Sequence, residues 1–145
     1  MKYGIDINNT KVLNAISQEL KKSGNFIVNL SQEENKNQGQ VLLKKVVIAN
    51  ITNIDFYIGI EFNRDISKCQ IFYDNNEKSK KCSEIIKNIF QKNFQNITCE
   101  IGEHLYLLKN TNAPALYIKV PLEYECTIEK LYIEEIVNVL INLEI

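Results

Sequence analysis

Ile48-Ala-Asn-Ile-Thr-Asn-Ile-Asp-Phe-Tyr-Ile-Gly-Ile-Glu-Phe-Asn63 decides how this chain is read. Its first residues close an apolar helical run from Val41 to Asn50, and Phe56–Ile60 then reads as a buried strand. Similar apolar alternation and runs place strands near Tyr3–Ile7, Phe26–Leu30, Cys69–Tyr73, Leu105–Leu108 and Leu116–Val120. Helical patterns fill the intervals. Val12, Leu13, Ile16 and Leu20 mark the first helix, with a glycine stop at Ser23-Gly24. Cys82, Ile85, Ile86, Ile89, Phe90 and Phe94 recur at helical spacing. The last helix is expected from about Ile128 to Leu143, apolar over more than one face. Strands alternating with helices predict an α/β fold: one domain, residues 1–145, with a mostly parallel twisted sheet of about six strands and helices on both faces. Ligands in such sheets gather at the C-terminal strand ends.

Two segments carry a resemblance. Ala49-Asn50, Asp55 and Asn63 match the pattern A-N-x(4)-D-x-x-x-S-I-H-x-N, in which Glu61 falls at the histidine. Leu105-Tyr106, Thr111 and Pro114-Ala115 match L-Y-V-L-x-x-T-x-x-P-A-V-L-x-E, in which Lys119 falls at the final glutamate. Both patterns are those of the zinc-dependent N-acetylmuramoyl-L-alanine amidases of bacterial autolysins and phage endolysins. Lys2-Tyr-Gly-Ile-Asp-Ile-Asn-Asn9 resembles the opening strand of that family, which ends in I-D-x-G-H. The resemblance covers nearly the whole chain and implies the amidase fold, with its site where the strands end.

The chemistry that the resemblance would imply is altered at each position. Asn9 stands where the first zinc histidine belongs, and a neutral amide is a poor zinc ligand beside an imidazole. Glu61 stands at the second histidine, and Lys119 at the catalytic glutamate. The family's glutamate ligand follows on a glycine-rich loop, but here Thr10-Lys11 already reads as helix, and neither residue would serve as that ligand. His104 is the only histidine; it is expected to open the penultimate strand as an ordinary surface or strand-end residue. Zinc hydrolases of this kind use about three His or carboxylate ligands, so no metal and no catalytic residue is expected at Asn9, Glu61 and Lys119. Glu61 and Lys119 are expected to form an ion pair in the space of the metal, with Asn9 adding an amide bond to the same carboxylate; Lys119 reaching out to solvent is the alternative.

Composition narrows the function classes. A net charge of −1 and a single arginine, Arg64, argue against nucleic acid or a polybasic membrane surface as partner. At 145 residues the chain can bury roughly 70% of its unfolded surface. Cys69, Cys82, Cys99 and Cys126 lack metal-site spacing and read as reduced, mostly buried thiols. Met1-Lys-Tyr-Gly-Ile-Asp puts an acid where the apolar part of a signal peptide would begin, so cytoplasmic synthesis is expected, with a wall target reachable after release. Ser31–Gln40 reads as a solvated loop, and in active relatives the matching loop borders the substrate cleft. Gly4–Lys11 also resembles the first phosphate motif of actin-like ATPases. That motif's glycine is missing, and the chain is too short for two such lobes.

Three functions follow from these residues. The leading one is a non-catalytic amidase-like module that binds peptidoglycan fragments or an active lysin. The second is an active amidase with an altered metal site. The third is a structural remnant that assembles with itself or another protein.

Overall fold

A computed structural model describes residues 1–31 and 37–143. The strands are β1 (Lys2–Ile7), β2 (Phe26–Asn29), β3 (Phe56–Asn63), β4 (Gln70–Tyr73), β5 (Thr98–Ile101) and β6 (Ala115–Pro121). The helices are α1 (Thr10–Lys22), α2 (Gln38–Ile51), α3 (Glu77–Phe90), α4 (Tyr106–Asn110), α5 (Glu125–Thr127) and α6 (Ile133–Ile141). One sheet holds all six strands in the order β2-β1-β3-β6-β4-β5. Four of its five pairings are parallel, and only β4 against β6 is antiparallel. The expected α/β architecture is what the chain adopts.

Period-two alternation sorts the two faces of the sheet. Phe56, Ile58, Ile60 and Phe62 of β3 join Tyr3, Ile5 and Ile7 of β1 and Leu116, Ile118 and Val120 of β6 in one core. Buried residues of α1, α3 and α6 cover this face. The intervening residues turn to the opposite face, where Tyr57, Phe72 and Ala115 pack with α2 and α4. Helices therefore cover both faces. Burying side chains of these sizes contributes about 1.5–3 kcal/mol each.

Helix ends follow local chemistry. Gly24 takes φ +86°, and the Gly24 and Asn25 amides donate to Lys21 O and Leu20 O. This is a Schellman stop, and it falls at the predicted glycine. Cys82 lies on the buried stripe of α3, as its spacing implied, and that helix stops at Phe90, short of Phe94. Cys69 is buried too, Cys99 is partly covered and Cys126 is exposed; all four thiols are free.

Four expectations need correction. Leu105–Leu108 is not a strand: Lys109 N donates to Leu105 O and Thr111 N to Leu107 O, closing the turns of α4. A four-residue apolar run fits either state, and here Leu107 and Leu108 both bury against α2 and Phe72. His104 thus lies in the turn before α4, exposed, with its ring edge-on to Phe72 at 5.5 Å. The strand missed in the sequence is β5, whose Thr-Cys-Glu-Ile has no clear alternation because it is an edge strand. The final helix is broken: a 3-10 turn at Leu122–Tyr124, then α5, then a π turn at Ile128–Tyr132, precede α6. Finally, helix α2 begins at Gln38, because Asn37 caps the Gly39 and Gln40 amides; the rest of the polar stretch, 32–36, lies outside the described residues.

Candidate functional site

Three strands bring the candidate positions to one end of the sheet. In the register of β3 and β6, Glu61 is the direct partner of Lys119, and Gly59 is the partner of Tyr117. Asp6 of β1 is the partner of Gly59 on the other side. A polar row therefore crosses the α2 face near the C-terminal strand ends. The register pairs Glu61 with Lys119; Asn9, just past the end of β1, turns its side chain to α1 instead.

Asn9 is the cap of α1. Its Oδ1 accepts from Val12 N at 2.9 Å, which satisfies one of the orphan amides of the first turn. The expected amide bond from Asn9 to Glu61 does not form. No loop separates β1 from α1: the strand ends at Ile7 and the helix begins at Thr10, so the shortened connection read in the sequence is present. Thr10 and Lys11 are both exposed there. The neighbouring Asn8 has a structural task instead. Its side chain accepts from Phe62 N at 2.8 Å and donates to Phe62 O at 3.0 Å, extending the β1–β3 ladder beyond the backbone.

The Glu61 carboxylate is held by two neutral donors. Tyr117 OH donates to Oε1 at 2.9 Å, and Asn63 Nδ2 donates to Oε2 at 3.0 Å. Gly59 makes the first bond possible. A Cβ there would lie 2.5 Å from Tyr117 Cδ1 and 2.9 Å from the Tyr57 hydroxyl, so only glycine lets the Tyr117 ring lie across β3 toward Glu61. The resembled pattern has serine at position 59 and leucine at 117; the two differences fit each other sterically.

The predicted ion pair between Glu61 and Lys119 does not form. Their register is correct, but their side chains diverge. The described ion pairs within 4.0 Å are Lys11–Glu129, Lys22–Glu19 and Lys45–Asp6. Lys119 leans toward β4, with Nζ 5.8 Å from the centroid of the Phe72 ring, a cation–π approach. It neither meets Glu61 nor extends freely into solvent. Tyr117 already occupies the Glu61 side of β6, which leaves the Phe72 side to the lysine stem.

A second polar cluster lies deeper on the same face. Lys45 of α2 reaches Asp6 Oδ1 at 2.9 Å, with their side chains only 14% and 8% exposed. Tyr57 OH donates to Asp6 Oδ2 at 2.6 Å. Burial first, then the charge of Asp6, pushes the Tyr57 hydroxyl well above its ordinary value. Burial, followed by the charges of Glu61 and Asp6, does the same to Tyr117. Both phenols stay protonated and serve as donors. Asp6 was visible in the sequence as an acid inside an apolar strand, but nothing there pointed to Lys45 or Tyr57 as its partners. Other pattern residues brace the frame: Asn50 donates to Asn110 O and accepts from Asn112 N, and Asp55 accepts from Lys2 N.

A zinc ion does not fit the residues present at these positions. The Asn9 amide oxygen is committed to the helix, Glu61 is the one acid of the three candidate positions, Lys119 adds a cation, and the nearby Asp6 is engaged by Lys45 and Tyr57. Among the described residues, no three His, Cys, Asp or Glu side chains come together in a way that could hold a metal ion. A groove of about 840 Å³ between α3 and α6, lined in part by Lys81, Glu84, Glu135 and Asn138, lies on the other face of the sheet and takes no part in this site. No described helix is long and apolar enough to cross a membrane.

This fold is that of N-acetylmuramoyl-L-alanine amidase catalytic domains. The catalytic domain of the CD27L endolysin targeting Clostridia difficile superposes with a TM-score of 0.76 at 15% identity, covering 100% of this chain and 99% of that one. The catalytic domain of CwlV, an N-acetylmuramoyl-L-alanine amidase from Bacillus (Paenibacillus) polymyxa var. colistinus, gives 0.74 at 12% identity, covering 99% and 100%. CwlD amidase from Clostridioides difficile, solved in complex with the GerS lipoprotein, gives 0.66 at 20% identity, covering 95% and 93%. No family model and no curated protein matches the chain.

Proposed function

We propose that this chain is a non-catalytic amidase-like domain, a module that binds peptidoglycan-related ligands or another protein such as an active lysin. One observation carries the reading: Glu61, at the resembled ligand position, spends an oxygen on each of Tyr117 and Asn63, while a lysine occupies position 119. A protonated amine there can neither accept a proton from water nor steady a metal-bound hydroxide, and general acid–base help is worth roughly 10²–10⁴ in rate. The CwlD–GerS complex supports a protein partner as one use of this fold.

A second reading, an active N-acetylmuramoyl-L-alanine amidase with an altered metal site, draws on Glu61 being a carboxylate. The two are separated by incubating the protein with purified peptidoglycan in zinc-containing buffer. The proposal expects co-sedimentation with the wall, or capture of a protein partner, and no new amino termini on released peptides. Amide cleavage abolished by a chelator would establish the enzyme instead.

A further inference from the structure

We propose that Glu61 and Lys119 form a bipartite site for a ligand presenting a carboxylate to Lys119 and an ammonium group to Glu61, the two charged ends that cleavage of an amide leaves behind. The inference rests on the wall-binding reading above and gives it a ligand class.

The two residues are register partners on strands roughly 4.8 Å apart, so their backbones hold opposite charges side by side. Neither charge is neutralised within the described protein. Glu61 receives only the neutral Tyr117 hydroxyl and Asn63 amide. A carboxylate has about four lone-pair sites, which leaves acceptor capacity for a cation. The Lys119 ammonium makes no hydrogen bond or ion pair among the described residues, and its one close approach is to the Phe72 ring. Both side chains are half-buried, where an unpaired charge is costly. The donors on Glu61 and the ring beneath Lys119 hold the two groups apart, which is the arrangement that lets a third body bridge them.

The row lies near the C-terminal strand ends, where ligands of parallel sheets gather. An intact amide is neutral and offers only an uncharged carbonyl to Lys119 and an uncharged N–H to Glu61, weaker partners than a carboxylate and an ammonium. A hydrolysed muramoyl–alanine linkage offers a carboxylate and an ammonium, and so does a free amino acid. The shared chemistry is the pair of opposite charges, and matched probes distinguish its sources.

Four probes are titrated into isotope-labelled protein and followed by amide chemical shifts: N-acetylmuramic acid (carboxylate), L-alaninamide (ammonium), L-alanine (both) and N-acetylmuramoyl-L-alaninamide (neither). The charged probes are expected to shift β3 and β6 amides and to bind at least about tenfold more tightly than the neutral one. Lys119→Met weakens N-acetylmuramic acid by a similar factor and spares L-alaninamide; Glu61→Gln does the reverse. Tighter binding of the neutral probe, no binding of any charged probe, or affinities unmoved by either substitution in folded variants would overturn the site. If that happens while the protein still co-sediments with whole peptidoglycan, only this site falls and wall binding stands. Cleavage of the neutral probe would instead remove the non-catalytic reading.

Discussion

Replacing Gly59 by serine, the residue of the resembled pattern, tests whether the site is built around Tyr117. The new Cβ would sit 2.5 and 2.7 Å from the Tyr117 ring carbons Cδ1 and Cε1, against an ordinary carbon–carbon separation of about 3.5–4.0 Å. The ring must therefore move by about 1 Å. Overpacking of this kind costs about 1–3 kcal/mol, and a displaced ring also loses its bond to the Glu61 carboxylate, worth about 1.5–3 kcal/mol. Part of that loss returns when water reaches the half-buried carboxylate, so the expected total is about 2–4 kcal/mol, or a fall in Tm of roughly 6–12 °C for a domain of this size. Tyr117→Leu alone should also destabilise, because it removes the hydroxyl and leaves space above Gly59. The double variant Gly59→Ser/Tyr117→Leu should be better than the sum of the two by about 1–3 kcal/mol. Urea melts of the four proteins complete the cycle. Additivity within about 0.5 kcal/mol would refute the claim that these positions depend on each other.

Other perturbations report on other parts of the frame. Lys45→Ala leaves Asp6 buried without its cation and should cost about 3–5 kcal/mol, read from chemical denaturation, while Lys119→Ala should cost no more than about 1 kcal/mol. Asn9→Ala removes a helix cap and should cost about 1 kcal/mol; thermal melts separate this small loss from the larger collapse expected of a ligand-site residue. Burial pushes the Cys69 and Cys82 thiols from 9.0 to about 12. The folded state keeps protons that the unfolded chain has released, so stability should hold up to about pH 9 and then fall toward pH 12, by up to about 1.4 kcal/mol per pH unit for each thiol. A Cys82→Ala variant should show a shallower fall in the same denaturation series.

The sheet's central strands were legible because their apolar residues alternate: Phe56, Ile58 and Ile60 on β3, and Leu116, Ile118 and Val120 on β6, bury on one face and force Glu61 and Lys119 onto the other. That the two share a face was therefore readable in advance, and their meeting in one pocket was what the resemblance implied. Their side-chain directions were not, because those depend on β4 running antiparallel beside β6 and placing Phe72 opposite Tyr117. That pairing spans more than forty residues in sequence and leaves no local signature. The same limit explains α4, where burial of both Leu107 and Leu108 against α2 turns an apolar run into a helix. Asn9 was found as a departure from a metal ligand, while its role as a cap follows from the helix that starts immediately after it.

The central claim, that the positions resembling a zinc site have been given over to internal bonds, meets its most direct test in metal content. The protein is stripped with chelator, dialysed against zinc, freed of excess and assayed by elemental analysis beside a Glu61→Ala variant. The account predicts far less than one zinc per chain in both. One tightly held zinc in the parent protein, lost in Glu61→Ala, would contradict it.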